Sequence, residues 1–297
     1  MIKNLILKIV GMVFLFLSKG RNFFQGYTIP NTIPVTEYLR SVKYDISVVE
    51  NWLSFLNQYS EEESSLKGKE VLELGPGSDL GVGLYLLSKG VARYSAIDIN
   101  NLVATVPTNF YEIFFEYLHS QEPDIDIDYL RQQLLKSSQN NNKVINYVYR
   151  KDFDILSAVD KNSIDLIFSN AAFEHFDTVE ETIRQISIIA KPKAKLISEI
   201  DLQTHSRWIR DKDPNNIYRY SDRIYHLFNC KGIPNRLRPC DYETILQRNG
   251  WENIIIYPTK KLSDFECQKI TPFLNYRFQN TRNQMHILSF MLCATQK

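Results

Sequence analysis

The 297-residue sequence predicts an α/β fold with a mostly parallel sheet. Three observations carry that expectation. Short apolar runs alternate with helical patterns between residues 70 and 200. A glycine loop, Gly75-Pro76-Gly77-Ser78-Asp79-Leu80-Gly81, joins the first run to a helix. The run Ile164-Asp165-Leu166-Ile167-Phe168-Ser169 is nearly all apolar, as a strand covered on both faces must be.

The elements follow in order. Residues 5–17 form an apolar stretch interrupted by Lys8, too short for a spanning helix of about 20 residues. Its basic start suits a signal peptide, but Ser18-Lys19-Gly20-Arg21 is a poor cleavage site. At helical spacing Ile2, Leu5, Ile6, Ile9, Val13 and Phe16 share one face. Residues 1–43 carry +5 in a chain whose total is +1. Two expectations follow: the helix packs on the protein body or a partner subunit, or it lies on an anionic membrane surface through residues 1–24.

Pro30 and Pro34 mark a linker. Residues 38–59 read as a helix with Val42, Ile46, Val49, Leu53 and Leu56 on one face, and residues 61–69 as a loop. Residues 70–74 are a strand, 84–89 a helix closed by Gly90, and 93–99 a strand bearing Asp98 near its end. Residues 100–143 form a helical insert, with helices near 110–118 and 129–135 and a loop at 139–142. Strands are expected at 144–149, 164–169, 195–200, 251–257 and 286–294, and helices at 179–189 and 242–248. The last two strands lack a clear crossover helix, which suits an antiparallel edge hairpin. The division expected is a basic extension, 1–43, and one domain, 44–297, with a second insert at 201–240 on the acceptor side.

Composition narrows the function. With 44% hydrophobic and 23% charged residues the chain is neither disordered nor fibrous. Near-neutral charge argues against nucleic acid as a partner. Cys230, Cys240, Cys267 and Cys293 lack metal spacing and read as reduced thiols of a cytoplasmic protein. Asp124, Asp126 and Asp128 lack the glycine and distal glutamate of a calcium loop and read as helix N-terminal acids, so no metal is expected.

The glycine loop allows close backbone approach to a ligand, and an acid ending the second strand can accept from ribose hydroxyls. Gly75, Gly77, Gly81 and Asp98 therefore point to an adenosine-containing cofactor, a dinucleotide or S-adenosylmethionine. Glu73 would repel a pyrophosphate and suit an amino group. Tyr147 and Lys151 have the spacing used by short-chain reductases, but on a strand they would not face correctly. A nicotinamide-dependent oxidoreductase and a non-catalytic binding module stand as alternatives.

Val71-Leu72-Glu73-Leu74-Gly75-Pro76-Gly77, Ala96-Ile97-Asp98, Asp152-Phe153, residues 164–170 and Phe173-Glu174-His175-Phe176 together resemble the class I S-adenosylmethionine-dependent methyltransferases, type 11-like, over residues 68–200. Lys191-Pro192-Lys193-Ala194 resembles the family's turn before strand five, with both usual glycines replaced. The resemblance implies a Rossmann-like three-layer sandwich, with a seven-stranded sheet whose last strand is antiparallel. It implies that Glu73, Gly75 and Gly77 hold the methionine part, Asp98 the ribose, and Ile99, Asp152 and Phe153 the adenine. Ser169, Asn170 and Ala171 would line the pocket near the sulfonium. Residues 198–205, with Asn235-Arg236-Leu237-Arg238 and Asp241-Tyr242, look more loosely like methyltransferases of bacterial glycan and secondary-metabolite pathways.

The expected activity is methyl transfer to a small molecule, a glycan or a lipid-linked sugar, at oxygen. His205 would be the base, oriented by Asp201, with His175 a further catalytic candidate and His226 a lesser one. The arginines and aromatics of residues 207–238 suit a sugar or an anionic acceptor. No Asn-Pro-Pro-Tyr or Asp-Pro-Pro-Tyr stands at 170, the tetrapeptide that in the family accompanies nucleobase methylation.

Overall fold

A computed structural model describes residues 2–25, 35–60, 65–138, 143–228 and 230–297. The expected linker prolines and the expected loops at 61–64 and 139–142 lie outside the described residues.

Seven strands, β1 (Glu70–Leu74), β2 (Arg93–Asp98), β3 (Ile145–Tyr149), β4 (Ile164–Asn170), β5 (Ala190–Asp201), β6 (Trp251–Lys261) and β7 (Ile287–Gln296), form one sheet. Their order is β3-β2-β1-β4-β5-β7-β6. The first five pair in parallel, and β7 runs antiparallel between β5 and β6. The chain reverses direction outward from β1, leaving a crevice at the carboxyl ends of β1 and β4.

The helices are α1 (Ile2–Gln25), α2 (Tyr38–Tyr59), α3 (Gly81–Ser88), α4 (Thr108–Gln121), α5 (Ile127–Ser138), α6 (Val179–Ile189), α7 (Arg207–Arg210), α8 (Asp222–Leu227), α9 (Pro239–Arg248) and α10 (Asp264–Ile270). Alternate strand residues face opposite layers. Val71, Leu166 and Phe168 pack with Val49, Trp52, Leu84 and Phe114 of α2, α3 and α4. Leu72, Leu74 and Ile167 pack with Ile183, Ile186, Tyr242 and Leu246 of α6 and α9. Trp52 stacks on Phe168 at 4.8 Å between centroids, which fixes α2 against the centre of the sheet. The expected boundary at residue 43 falls inside α2, whose Tyr38 and Val42 are buried in this core.

Several expectations need correction. The turn before β5 is a bulge within a longer strand: pairing with β4 jumps from Ile164↔Ala190 to Leu166↔Lys195. Lys193 there takes φ +68, the left-handed conformation that glycine adopts without strain. The last two strands pair antiparallel, as expected, but not as an edge hairpin. Their connection carries α10 and three single 3-10 turns, and β7 slots inside β6.

The largest departure is α1. It packs through the side opposite its apolar stripe. Asn216 donates to the carbonyl of Leu7 at 2.9 Å and Tyr220 to that of Lys8 at 2.7 Å. Gly11 makes this approach possible, since a Cβ there would stand 1.9 Å from Asn216 Oδ1. Leu15 joins Ile217, Tyr218 and Tyr225 in a separate small core. Ile2, Leu5, Ile6, Ile9, Val13 and Phe16 all remain exposed. Among the described residues, no helix is long and apolar enough to cross a membrane.

Candidate functional site

The loop after β1 and the ends of β2 and β4 enclose a cavity of about 580 Å³, within the usual range for small-ligand sites. Glu73, Gly75, Gly77, Asp98, Ile99, Asp152, Phe153 and Asn170 all line it. Gly75 and Gly77 have φ +73 and +81. A Cβ on Gly75 would stand 2.9 Å from that of Ala172, so this turn needs glycine twice over. Phe153 and Ala171, neither a glycine, are also left-handed, at φ 51 and 50. Backbone strain of this kind concentrates where a ligand is held.

Ser169 departs from expectation. It is fully buried and donates to the carbonyl of Leu74 at 3.1 Å, tying β4 to β1 instead of facing the cavity. Asp152 reaches only the rim, where Arg150 holds it through two hydrogen bonds of 2.9 and 2.7 Å. That pairing lowers its carboxyl to about 2.

The wall formed by β1, the loop after it and α2 is acidic. Glu73 is buried and accepts from the Tyr94 hydroxyl; burial first, then the charges of Asp79 and Asp98, pushes it up to about 8. Asp45 of α2 and Asp79 of the loop stand beside it, both buried and both raised, by burial above all. Asp45 Oδ2 is buried with no hydrogen-bond partner. Asp79 accepts from the Gly81 N–H at 2.8 Å, which holds the start of α3. Asp98 accepts from the Asn100 N–H at 2.8 Å, and burial raises its pKa. A wall of four carboxyls, one with an orphaned oxygen, fits a cation and repels a pyrophosphate. S-adenosylmethionine, cationic at both amino group and sulfur, fits it.

Asp45 was missed in the sequence. Its signal was an acid on the buried face of α2, four residues before Val49 and seven before Trp52.

A second cleft of about 570 Å³ adjoins the first, and Tyr44, Val48, Asn170 and Ala171 line both. Asn170 donates to the Tyr44 hydroxyl at 2.8 Å across the junction. The cleft is polar. Asp201 accepts from Arg210 at 2.5 Å and from Gln203 at 2.9 Å, and Lys260 donates to Gln203 at 3.0 Å.

Of the catalytic candidates, His175 lines the first cavity and Asp201 the second cleft, whereas His205 lines neither. His175 lies in a 3-10 turn after β4. His205 follows β5 and meets His175 edge to face at 4.7 Å between centroids. Its Nε2 is 3.8 Å from Asp201, beyond hydrogen-bond range, because Arg210 and Gln203 already occupy that carboxylate. Asp201 therefore orients Arg210 and Gln203 more directly than it orients His205. Burial lowers both imidazoles, His175 to about 4, so both are neutral at pH 7. His226 is exposed on α8 and lines neither space.

The arginine and tyrosine cluster also departs from expectation. Arg219 forms a buried pair with Asp213 at 2.7 Å. Arg238, fully buried, donates to the carbonyls of Asn283, Gln284 and Ile287. Arg236 donates to those of Ile217 and Tyr220. These guanidinium groups hold irregular backbone together, and of the cluster it is Arg210 that lines the second cleft. Asp126 caps α5 as expected, accepting from the Tyr129 N–H at 2.8 Å.

A family model described as a methyltransferase domain matches residues 42–255. The chain also matches 128 residues of a tRNA dimethylallyltransferase from Flavobacterium johnsoniae at 32% identity, 40% of either sequence. It thus spans about two fifths of the length of that curated relative. Similar solved structures include an S-adenosylmethionine-dependent methyltransferase from Mesorhizobium loti, with TM-score 0.44 and 14% identity over 82% of this chain and 96% of that one. Another is phosphoethanolamine N-methyltransferase 2 of Haemonchus contortus in complex with S-adenosyl-L-methionine, with TM-score 0.44 and 12% identity over 83% of this chain and 52% of that one.

Proposed function

Because this chain belongs to the S-adenosylmethionine-dependent methyltransferases, we propose that it methylates a hydroxyl of a polar acceptor, a glycan or lipid-linked sugar, at a membrane surface. When bound, the cofactor supplies a methyl group on a sulfonium that needs no further activation. The chain's own residues do the rest. Glu73 and Asp45 meet the cationic amino group, and Asp98 accepts from the ribose. Asn170 and Tyr44, at the junction of the two spaces, align acceptor with donor. Gln203, Arg210, Asn51 and Lys260 offer hydroxyl-binding groups along the cleft. His175 and His205, uncharged, face the reacting hydroxyl and govern its proton.

The apolar stripe of α1 is the observation that carries the membrane and lipid part. Trp208 is 80% exposed and stacks beside Phe14 of α1, at 6.5 Å between centroids. Leu227 is exposed beside Lys19, which donates to its carbonyl. Trp208 and Leu227 thus add exposed apolar surface along the flanks of α1, which carries Lys3, Lys8, Lys19 and Arg21 to meet anionic lipid. Trp208 also shares α7 with Arg210 of the cleft, so the apolar surface adjoins the acceptor space. An acceptor with a lipid tail in the bilayer would present its sugar there.

The test has two arms. Radiolabelled methyl transfer is measured to membrane glycolipid extracts before and after mild acid release of the sugar, and vesicle sedimentation is measured for wild type and Ile9→Glu. Label in an O-methylated sugar, and binding to anionic but not neutral vesicles lost in Ile9→Glu, support the reading. Label only on nitrogen or carbon refutes the first arm, and equal sedimentation of the variant refutes the second.

A further inference from the structure

Glu174 is the most conspicuous polar group left over. It follows β4, is 1% exposed, and its carboxylate has no close side-chain partner among the described residues, with only its own backbone N–H and that of Asp201 turned toward it. A buried carboxylate without side-chain partners is costly, and native proteins keep one where a cation or a proton is handled. Two imidazoles stand beside it. His175 is its chain neighbour, and His205 arrives from the end of β5. One ligand atom from each of the three lies within 4.8 Å of the other two. His175 Nδ1 and His205 Nε2 are also buried without partners. Three buried, unpaired ligand atoms from two strand ends converge on one point.

The surroundings fit a cation. Glu199 and Asp201 add negative charge from β5. Arg210 and Lys260 are the facing cations, and they are committed to Asp201 and Gln203. The Gly232 backbone hydrogen-bonds the His175 ring, the arrangement by which a ligating imidazole is held with its other nitrogen free.

We propose that Glu174, His175 and His205 bind one divalent transition-metal cation, of the zinc, cobalt or manganese class, behind the part of the donor-cavity wall that His175 lines. Two nitrogens and one carboxylate favour these ions over magnesium, which prefers oxygen ligands and water. Bonds of about 2.0–2.2 Å bring ligand atoms closer than the present spread, so the side chains close in by a fraction of an ångström to about an ångström. Three protein ligands leave open positions. Resting on the methyl-transfer reading of the cavity that His175 lines, the cation holds the acceptor hydroxyl in one of them, on the cavity side. Coordination lowers that hydroxyl's pKa; the O–H bond breaks, the oxygen keeps the electron pair, and the proton leaves to solvent. The histidines then act as ligands, and no imidazole base is needed.

The experiment uses the untagged full-length protein, stripped with chelator. Zn²⁺ is titrated by calorimetry, Co²⁺ by its visible absorption bands, and S-adenosylhomocysteine binding is measured on the same samples. One equivalent of metal is expected, bound at least tenfold more weakly by Glu174→Gln and by His205→Ala, both of which retain S-adenosylhomocysteine. No stoichiometric metal in a wild type that binds S-adenosylhomocysteine overturns the site, as does unchanged metal affinity in both variants. Failure of the wild type to bind S-adenosylhomocysteine strikes instead at the methyl-transfer reading, whatever the metal does.

Discussion

Replacing Glu73 with glutamine should stabilise the ligand-free protein at alkaline pH and weaken cofactor binding. Glu73 sits on β1 facing Tyr94, Asp79 and Asp98, and its pKa rises from 4.5 to about 8 on folding. Between those values the unfolded chain releases a proton that the folded chain retains. Stability attributable to this group is therefore lost as pH climbs from about 4.5 to about 8. At about 1.4 kcal/mol per unit, the loss reaches up to about 5 kcal/mol at pH 8. Glutamine keeps the shape and an acceptor for the Tyr94 hydroxyl without the ionisation. Urea denaturation at pH 5 and pH 8 should show the variant more stable than wild type at pH 8, with the gap nearly closed at pH 5. In the same variant the charged partner of the cofactor's amino group is gone. A charge-assisted hydrogen bond of about 1.5–3 kcal/mol corresponds to tenfold to a hundredfold in affinity for S-adenosylhomocysteine. Equal stability of the two proteins at pH 8, with equal affinity, would refute the assignment of a burdened carboxyl to the cofactor's amino group.

Other outcomes follow from the same geometry. Gly75→Ala places a Cβ 2.9 Å from Ala172 at φ +73 and should cost about 1–3 kcal/mol, read as a lower melting temperature together with weaker S-adenosylhomocysteine binding. S-adenosylhomocysteine binding to wild type at pH 6.5 should release protons from the acidic wall, seen as a dependence of calorimetric enthalpy on the buffer's ionisation enthalpy. Arg238→Met removes three hydrogen bonds to backbone carbonyls, of which that of Gln284 keeps the Ile287 N–H, and should destabilise by about 2–3 kcal/mol in urea. Gly11→Leu should displace α1 from Asn216 and Tyr220, raising amide exchange in residues 2–25 while the sheet stays protected.

The first half of the fold was legible because its signals are local. The strand, the turn at Gly75 and Gly77, helix α3 and the acid Asp98 lie within about thirty residues, and each uses a residue type that its position demands. The second half was not. That β7 threads between β5 and β6 depends on long-range pairing, and both orders satisfy the same apolar runs. The arginines at 219, 236 and 238 looked like ligands because burial of a guanidinium leaves no mark on sequence. Their partners are backbone carbonyls, Asp213 and Asp222, and Asn4 of α1. Helix α1 followed its periodicity, but small and polar positions, Asn4, Gly11 and Asn22, made the contacts. At the site, Glu174 and His175 were visible as neighbours, yet His205 joins them only because β4 and β5 are adjacent.

The central claim, that the acidic cavity between β1, β2 and β4 holds S-adenosylmethionine, is tested most directly by calorimetric titration of wild type and Asp98→Asn with S-adenosylhomocysteine and NAD(H). One site for S-adenosylhomocysteine, tight in wild type and largely lost in Asp98→Asn, with no binding of NAD(H), is the predicted result. Absence of S-adenosylhomocysteine binding by a folded wild type, or preference for NAD(H), would contradict it.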